Sequence, residues 1–156
     1  MMRAAMLAFA VLVAGCVSPP APTPITITLE RTPCFGFCPD YTVTISGDGA
    51  VTYHGGRFTR ISGEQHATAA PQDVAHLVRM IHDADFFNLQ DHYRAQITDL
   101  PSYRVTVIEG GRSKTVEDYA GQSVGMPPAV SAIEQEIDRV AGTERWVPGG
   151  GQPGAK

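Results

Sequence analysis

From residue 25 onward, apolar and polar residues alternate in short runs separated by glycines, and this pattern leaves few folds open to the chain. Ile25-Thr26-Ile27-Thr28-Leu29 alternates strictly, and so does Tyr41-Thr42-Val43-Thr44-Ile45. A period of two sends one set of side chains to one face of a strand and the other set to the opposite face, so each run reads as a half-buried strand. Gly47-Asp48-Gly49 then precedes Val51-Thr52-Tyr53, which is a strand, glycine turn and strand in hairpin order. Gly55-Gly56 leads through Arg57-Phe58-Thr59-Arg60-Ile61 into a third meander turn, with Gln65 to Ala69 extending that edge. Pro71 suits a first helical position, and Val74, Leu77, Val78 and Ile81 follow at helical spacing. An irregular stretch through Phe86, Phe87 and Leu89 precedes a second hairpin, Tyr103 to Val107 and Thr115 to Glu117 around Gly110-Gly111. A last helix starts near Pro127-Pro128, buries Val130, Ile133, Ile137 and Val140, and stops at Gly142. Neighbouring strands joined by short turns predict an α+β domain: an antiparallel meander sheet with two helices packed on one face, in the order meander, helix, hairpin, helix.

The 156 residues, 43% apolar and 18% charged, supply one soluble core and little room for a second. Twelve Lys and Arg stand against 16 Asp and Glu, so the basic footprint that phosphate-backbone binding requires is missing and no nucleic-acid partner is expected. Residues 1–15 carry one positive charge, Arg3, and an apolar run of signal-peptide size, short of the roughly 20 residues that span a bilayer. The run ends in Val13-Ala14-Gly15-Cys16, which resembles the bacterial lipobox. That resemblance implies cleavage before Cys16, a diacylglyceryl thioether on its sulfur and a further acyl chain on the new amino terminus. Two or more chains at ~0.8 kcal/mol per buried methylene make a stable membrane anchor. Residues 16–24 hold the lipidated Cys and a Pro-rich extended tether. The domain is expected over 25–147, and 148–156 is expected to be a disordered Gly and Pro tail. Val17, rather than Asp, after the lipidated Cys points to the periplasmic side of the outer membrane in a two-membrane bacterium, with an envelope protein as the expected partner class.

The densest cluster of unusual residues is Arg31-Thr32-Pro33-Cys34-Phe35-Gly36-Phe37-Cys38-Pro39-Asp40-Tyr41, between the first two strands. With Cys16 lipidated, Cys34 and Cys38 are the two thiols left, and an exported pair in an oxidising compartment closes. Four residues apart, they reach the Cα separation of about 4.4 to 6.8 Å that a disulfide needs if Gly36 lets the chain coil tightly. Such a staple adds roughly 2 kcal/mol in the loop-entropy picture. A second reading stays open, because Cys-x-x-x-Cys-Pro also looks like the copper motif of the Sco family of thioredoxin-like assembly factors. Soft thiolates select Cu(I), and His54, His66 or His92 is then the third ligand. The hairpin pattern here disagrees with the parallel βαβ units of that family. Phe35 and Phe37 flank Gly36, and they either dock a partner or bury under the end of the sheet.

Gly121-Gln122-Ser123-Val124-Gly125 fits the G-x-S-x-G nucleophile elbow. That mechanism places a His after the Ser in the chain, and the last histidine is His92, so a glycine-rich connection is expected and no catalytic residue is assigned. Glu134, Gln135, Asp138 and Arg139 are spaced for surface contacts on the last helix. His76, Arg79, His82 and Asp83 read as a solvated face of the first helix.

The run Arg31-Thr32-x-Cys34-x-Gly36-x-Cys38-Pro39-x-Tyr41, with the Gly-Asp-Gly turn, Phe86-Phe87 and Asp99-x-Pro101, resembles a family of bacterial exported domains known as a domain of unknown function, number 6438. The resemblance covers most of Ile25 to Trp146 and implies an envelope-associated α+β module with no assigned activity. It marks Arg31, Cys34, Gly36, Cys38, Pro39 and Tyr41 as a signature. The functional expectation is therefore a lipid-anchored envelope protein acting as a non-enzymatic binding or structural module, without a cofactor. The alternative is a copper-binding or thiol-redox factor using Cys34 and Cys38.

Overall fold

The first alternating run forms β1 (Ile25–Arg31), which buries every second side chain from Ile25 to Arg31. It pairs antiparallel on one side with β2 (Tyr41–Ser46) and on the other with β6 (Tyr103–Glu109). Beyond β2 lie β3 (Ala50–Gly55) and the edge strand β4 (Gly63–Thr68), and beyond β6 lies β7 (Arg112–Tyr119). The spatial order is β4-β3-β2-β1-β6-β7, with the short β5 (His92–Arg94) at the edge beyond β7, so the meander and the second hairpin meet along β1. The computed structural model describes residues 24–148. The expected signal segment, Cys16, the tether to Thr23 and the tail from 149 lie outside the described residues.

One strand departs from the sequence expectation. The stretch after Phe87 includes β5 (His92–Arg94), which pairs parallel to β7 and makes the sheet mixed at that edge. Three residues are too few to display a period of two.

Both helices cover one face of the sheet. Helix α1 (Pro71–Asp83) buries Val74, Leu77 and Ile81, with Pro71 opening its first turn. Helix α2 (Pro128–Ala141) ends at Gly142, whose φ of 67° suits a residue without Cβ. Ile27, Leu29, Val43, Ile45, Val105 and Val107 from the sheet meet Leu77, Ile81, Ile133 and Ile137 from the helices with essentially no exposed surface. Truncating one of these helical residues to Ala costs about 2 to 5 kcal/mol through lost transfer energy and the cavity left behind. The opposite face is a field of Thr26, Thr28, Thr42, Thr44, Thr52, Thr106 and Thr115 left partly open to water. Among the described residues no helix is long and apolar enough to cross a membrane.

Candidate functional site

The cross-strand register carries the core face from apolar to polar in one step. Tyr53, Val43, Leu29, Val105 and Val116 form one row of partners across the sheet. Two residues further along β1, the corresponding row is Tyr41, Arg31, Tyr103 and Asp118. Residues directly opposite across antiparallel strands share a face, so this row puts a guanidinium and a carboxyl where the core continues. Helix α2 supplies Glu134 and Asp138 to the same place, because positions 130, 133, 134, 137, 138 and 141 make one helical stripe and all of them are buried. The expected surface role of Glu134 and Asp138 is thus corrected: they are 4% and 6% exposed. Gln135 and Arg139 of that set stay at the surface, where Arg139 pairs with Asp73 and Glu136.

Arg31, 4% exposed, donates from Nη2 to Asp138 Oδ2 at 2.5 Å. Asp138 Oδ1 accepts the Tyr41 hydroxyl at 2.7 Å and the Thr143 hydroxyl at 3.0 Å, so every oxygen of that carboxylate is used. The Arg31 guanidinium also stacks over the Tyr103 ring, 4.2 Å from its centroid. Burial works against the charge on Arg31, but Asp138 outweighs it and holds the group firmly protonated. Burial, then the nearby Asp138, pushes the Tyr41 hydroxyl well above its ordinary range.

The other groups are not satisfied in this way. Arg31 Nε and Nη1 and Glu134 Oε1 are buried without a hydrogen-bond partner. Burial, then Asp118, raises Glu134 to about 8, and burial raises Asp118 although Asp118 Oδ1 accepts the Gly121 N–H at 2.6 Å. A pocket of about 430 Å³ opens over these groups, lined by Arg31, Tyr103, Asp118 and Glu134, with Leu100 and Ser131 on its walls. Gly121 belongs here for steric reasons, since a Cβ would stand 2.7 Å from Tyr93 Cβ and 3.0 Å from Asp118 Oδ1. A larger hollow of about 770 Å³ at the start of β1, beside α1, has none of the buried polar groups in its wall. Convergent buried polar groups distinguish a binding pocket from a surface groove, so the smaller one is the candidate.

The loop that follows Arg31 does the reverse. Cys34 and Cys38 are disulfide-bonded, with Cα atoms 5.6 Å apart. Phe35 and Phe37 project from the closed loop at 88% exposure each. The choice between docking and burial beneath the sheet is thereby decided against burial. Phe37 meets Phe58 edge-on at 5.2 Å, and Phe58 sits at φ 59°, an unusual conformation for a bulky residue. The Arg57 N–H donates to Asp40 and the Thr59 hydroxyl to the Gly56 carbonyl, which holds that turn in place. The Phe35 N–H donates to the Asp99 carbonyl at 3.4 Å and the Thr32 N–H to the Ser102 carbonyl at 3.0 Å. The loop therefore leans on segment 99–102, and Leu100 in that segment also borders the pocket.

Two of the remaining residues of the expected signature belong to this arrangement. Tyr41 is in the buried row and Pro39 ends the loop before it. Gly36 has neither a left-handed φ nor crowding: a Cβ there would find only Cys34 Sγ, at 3.6 Å. The tight coiling that Gly36 is expected to help does not depend on a missing Cβ there. His54, His66 and His92 are all exposed, and His66 and His92 sit on the two opposite edge strands, so one metal site cannot use both. Because the two sulfurs are bonded to each other, the copper reading applies only to the reduced chain. Ser123 is an exposed residue of a 3-10 turn and donates to the Ala120 carbonyl at 2.7 Å, with no histidine bonded to it. The pocket cluster itself was findable, since the phase of Ile25, Ile27 and Leu29 places Arg31 inside and the stripe from Val130 places Glu134 and Asp138 inside.

The family model described as a domain of unknown function, DUF6438, matches residues 25–141. A search of curated proteins found no match.

Proposed function

The chain belongs to the DUF6438 family, whose description carries no activity, and we propose that it is a lipid-anchored protein of the cell envelope whose domain is a non-enzymatic binding module. Cys16 carries the lipid, the Pro-rich tether follows, and the domain faces the periplasm from the outer membrane. Phe35 and Phe37 dock an envelope protein partner. The observation that supports this reading is the 88% exposure of both rings on a disulfide-closed loop. Exposed rigid aromatics on a small loop lose little entropy on binding and are typical anchors at protein interfaces. The loop also stands at the far end of β1 from the tether: seven residues separate Ile25 from Arg31 inclusive, a strand of roughly 20 Å. That separation along β1 supports a partner reaching the rings from the side away from the lipid.

Two measurements test the reading. The Cys16→Ala chain is expected to leave the membrane fraction, and its retention there overturns the anchor. A photo-crosslinking side chain at position 37 in intact cells is expected to give a discrete protein adduct, and one at Thr52 on the threonine face is expected to give none. Equal adducts at both positions, or none at 37, overturn the docking loop.

A further inference from the structure

The pocket beside the loop has a chemistry of its own. Arg31 and Glu134 line it, each more than nine-tenths buried, and each keeps polar atoms without a partner: Nε and Nη1 of Arg31 and Oε1 of Glu134. Buried donors and acceptors without partners cost free energy, so a native site that keeps both is arranged for a molecule that supplies both. A lone anion pairs with Arg31 but adds negative charge next to Asp118 and Asp138. A lone cation pairs with Glu134 and Asp118 but leaves the two Arg31 nitrogens bare. A zwitterion with its charges one carbon apart meets both needs, and its ammonium, which a lone anion lacks, offsets the charge that Glu134 takes on when it ionises.

We propose that the pocket over Arg31, Asp118 and Glu134 is a binding site for a free α-amino acid, its carboxylate on Arg31 and its ammonium on Glu134 and Asp118. At about 430 Å³ the pocket also has room for a side chain, which Leu100, Pro101 and Tyr103 border with apolar surface. Gln122 donates to Ser131 across the wall at 2.9 Å and bounds the pocket on the side of α2. The groups facing Glu134 are Arg31 from β1, Tyr103 from β6, Asp118 from β7 and Asp138 one turn along α2. Of these, the two carboxyls and burial keep Glu134 protonated near neutral pH, with a pKa of about 8. An arriving ammonium favours the carboxylate instead, so binding at pH 7 expels a proton from Glu134 to the buffer. This site is independent of the docking loop and stands whether or not Phe35 and Phe37 meet a partner.

Isothermal titration calorimetry on the full chain in detergent micelles tests it, using the natural L-amino acids and, as single-charge probes, propionate and ethylamine. At least one amino acid is expected to bind with Kd below ~1 mM, with both single-charge probes at least tenfold weaker. In two buffers of different ionisation enthalpy, binding at pH 7 is expected to release most of one proton. Glu134→Gln is expected to weaken binding about tenfold or more, the loss of one charge-assisted hydrogen bond, and to abolish the proton release. Ser131→Phe, which fills the pocket from α2, is expected to abolish binding, and it decides the matter alone if Glu134→Gln fails to fold. The site is overturned if no amino acid binds, if propionate or ethylamine binds as tightly, or if Glu134→Gln leaves affinity and proton release unchanged. Binding that survives in a folded Ser131→Phe chain overturns it as well.

Discussion

Arg31 and the phenylalanine loop are a few residues apart in the chain and break the usual partition of side chains in opposite directions. Arg31 is a permanent charge with 4% of its surface exposed, whereas Phe35 and Phe37 are apolar rings with 88% exposed. Elsewhere, Ile108 apart, the sheet obeys the rule, with isoleucine, leucine and valine inside and threonine outside. Neither exception favours folding: burying an ion pair roughly breaks even at best, and exposed rings forgo their transfer energy. Each is held by a device that a stable core does not need, a carboxylate with three donors in one case and a disulfide in the other. Local rules that fail together at one end of a domain mark the end selected for something other than stability.

The largest effect expected from testing this contrast comes from Arg31→Met. It leaves the Asp138 carboxylate buried with only two hydroxyl donors, and breaking one side of a buried pair costs about 3 to 5 kcal/mol. Urea denaturation checks the loss, and the double change Arg31→Met with Asp138→Leu is expected to recover most of it, because no charge is then left alone. A cost below about 1 kcal/mol for the single change would mean that the pair is solvated and the contrast false.

Next in size is the pH dependence carried by Glu134. Its carboxyl is protonated in the folded chain up to about 8, against an ordinary value of 4.5 when unfolded. The folded state therefore binds the proton more tightly, and stability falls as pH rises from about 4.5 through about 8, then levels off. Glu134→Gln cannot ionise, so the variant is expected to show a flatter profile and to exceed the parent in stability above pH 8. Asp118, raised in the same sense, leaves a smaller slope in the variant. Parallel profiles for the two chains would place Glu134 in water.

Why the sequence showed the loop and concealed the pocket follows from the signals each one leaves. Cysteines four apart beside glycine and proline are visible as residue types, and the glycine turns and period-two runs marked β1 to β4, β6 and β7 as segments along the chain. The pocket depends on phase rather than type. Arg31 looks like a strand-ending cation until the alternation from Ile25 is carried to its fourth inward position. Glu134 and Asp138 look like helix surface because an acid at i,i+4 from another polar residue usually is. Only the register of β1 against β2 and β6, which no local pattern contains, shows that the inward row continues as Tyr41, Arg31, Tyr103 and Asp118 beneath that helix.

Opening the disulfide probes the mount rather than the rings. The double change Cys34→Ser and Cys38→Ser is expected to lower stability by about 2 kcal/mol, the closure entropy of a five-residue loop in that model. The same experiment bears on the copper reading: if the pair is a staple, metal analysis of the reduced wild-type chain is expected to find no stoichiometric copper. One copper per reduced chain would make the loop a metal site and remove the contrast between a mount and its cargo.

The smallest effect on folding, and the sharpest on the comparison, is expected from the paired change Phe35→Ser and Phe37→Ser. Rings already in water contribute little to the stability difference between folded and unfolded chains, so the melting transition should stay within about 0.5 kcal/mol of the parent. The Phe37 contact with Phe58 is itself at the surface, since Phe58 is 43% exposed, and an exposed edge-on pair adds little. Solubility should rise, because the change removes the most exposed apolar groups among the described residues. A loss above about 1 kcal/mol would show that the rings pack in the folded chain, and the loop would then be an ordinary part of the core. Unchanged stability together with loss of the partner adduct, read with the crosslinking side chain at Gly36 between the two changed rings, separates binding from folding. The Arg31 variant cannot make that separation, because its cost falls on the fold itself.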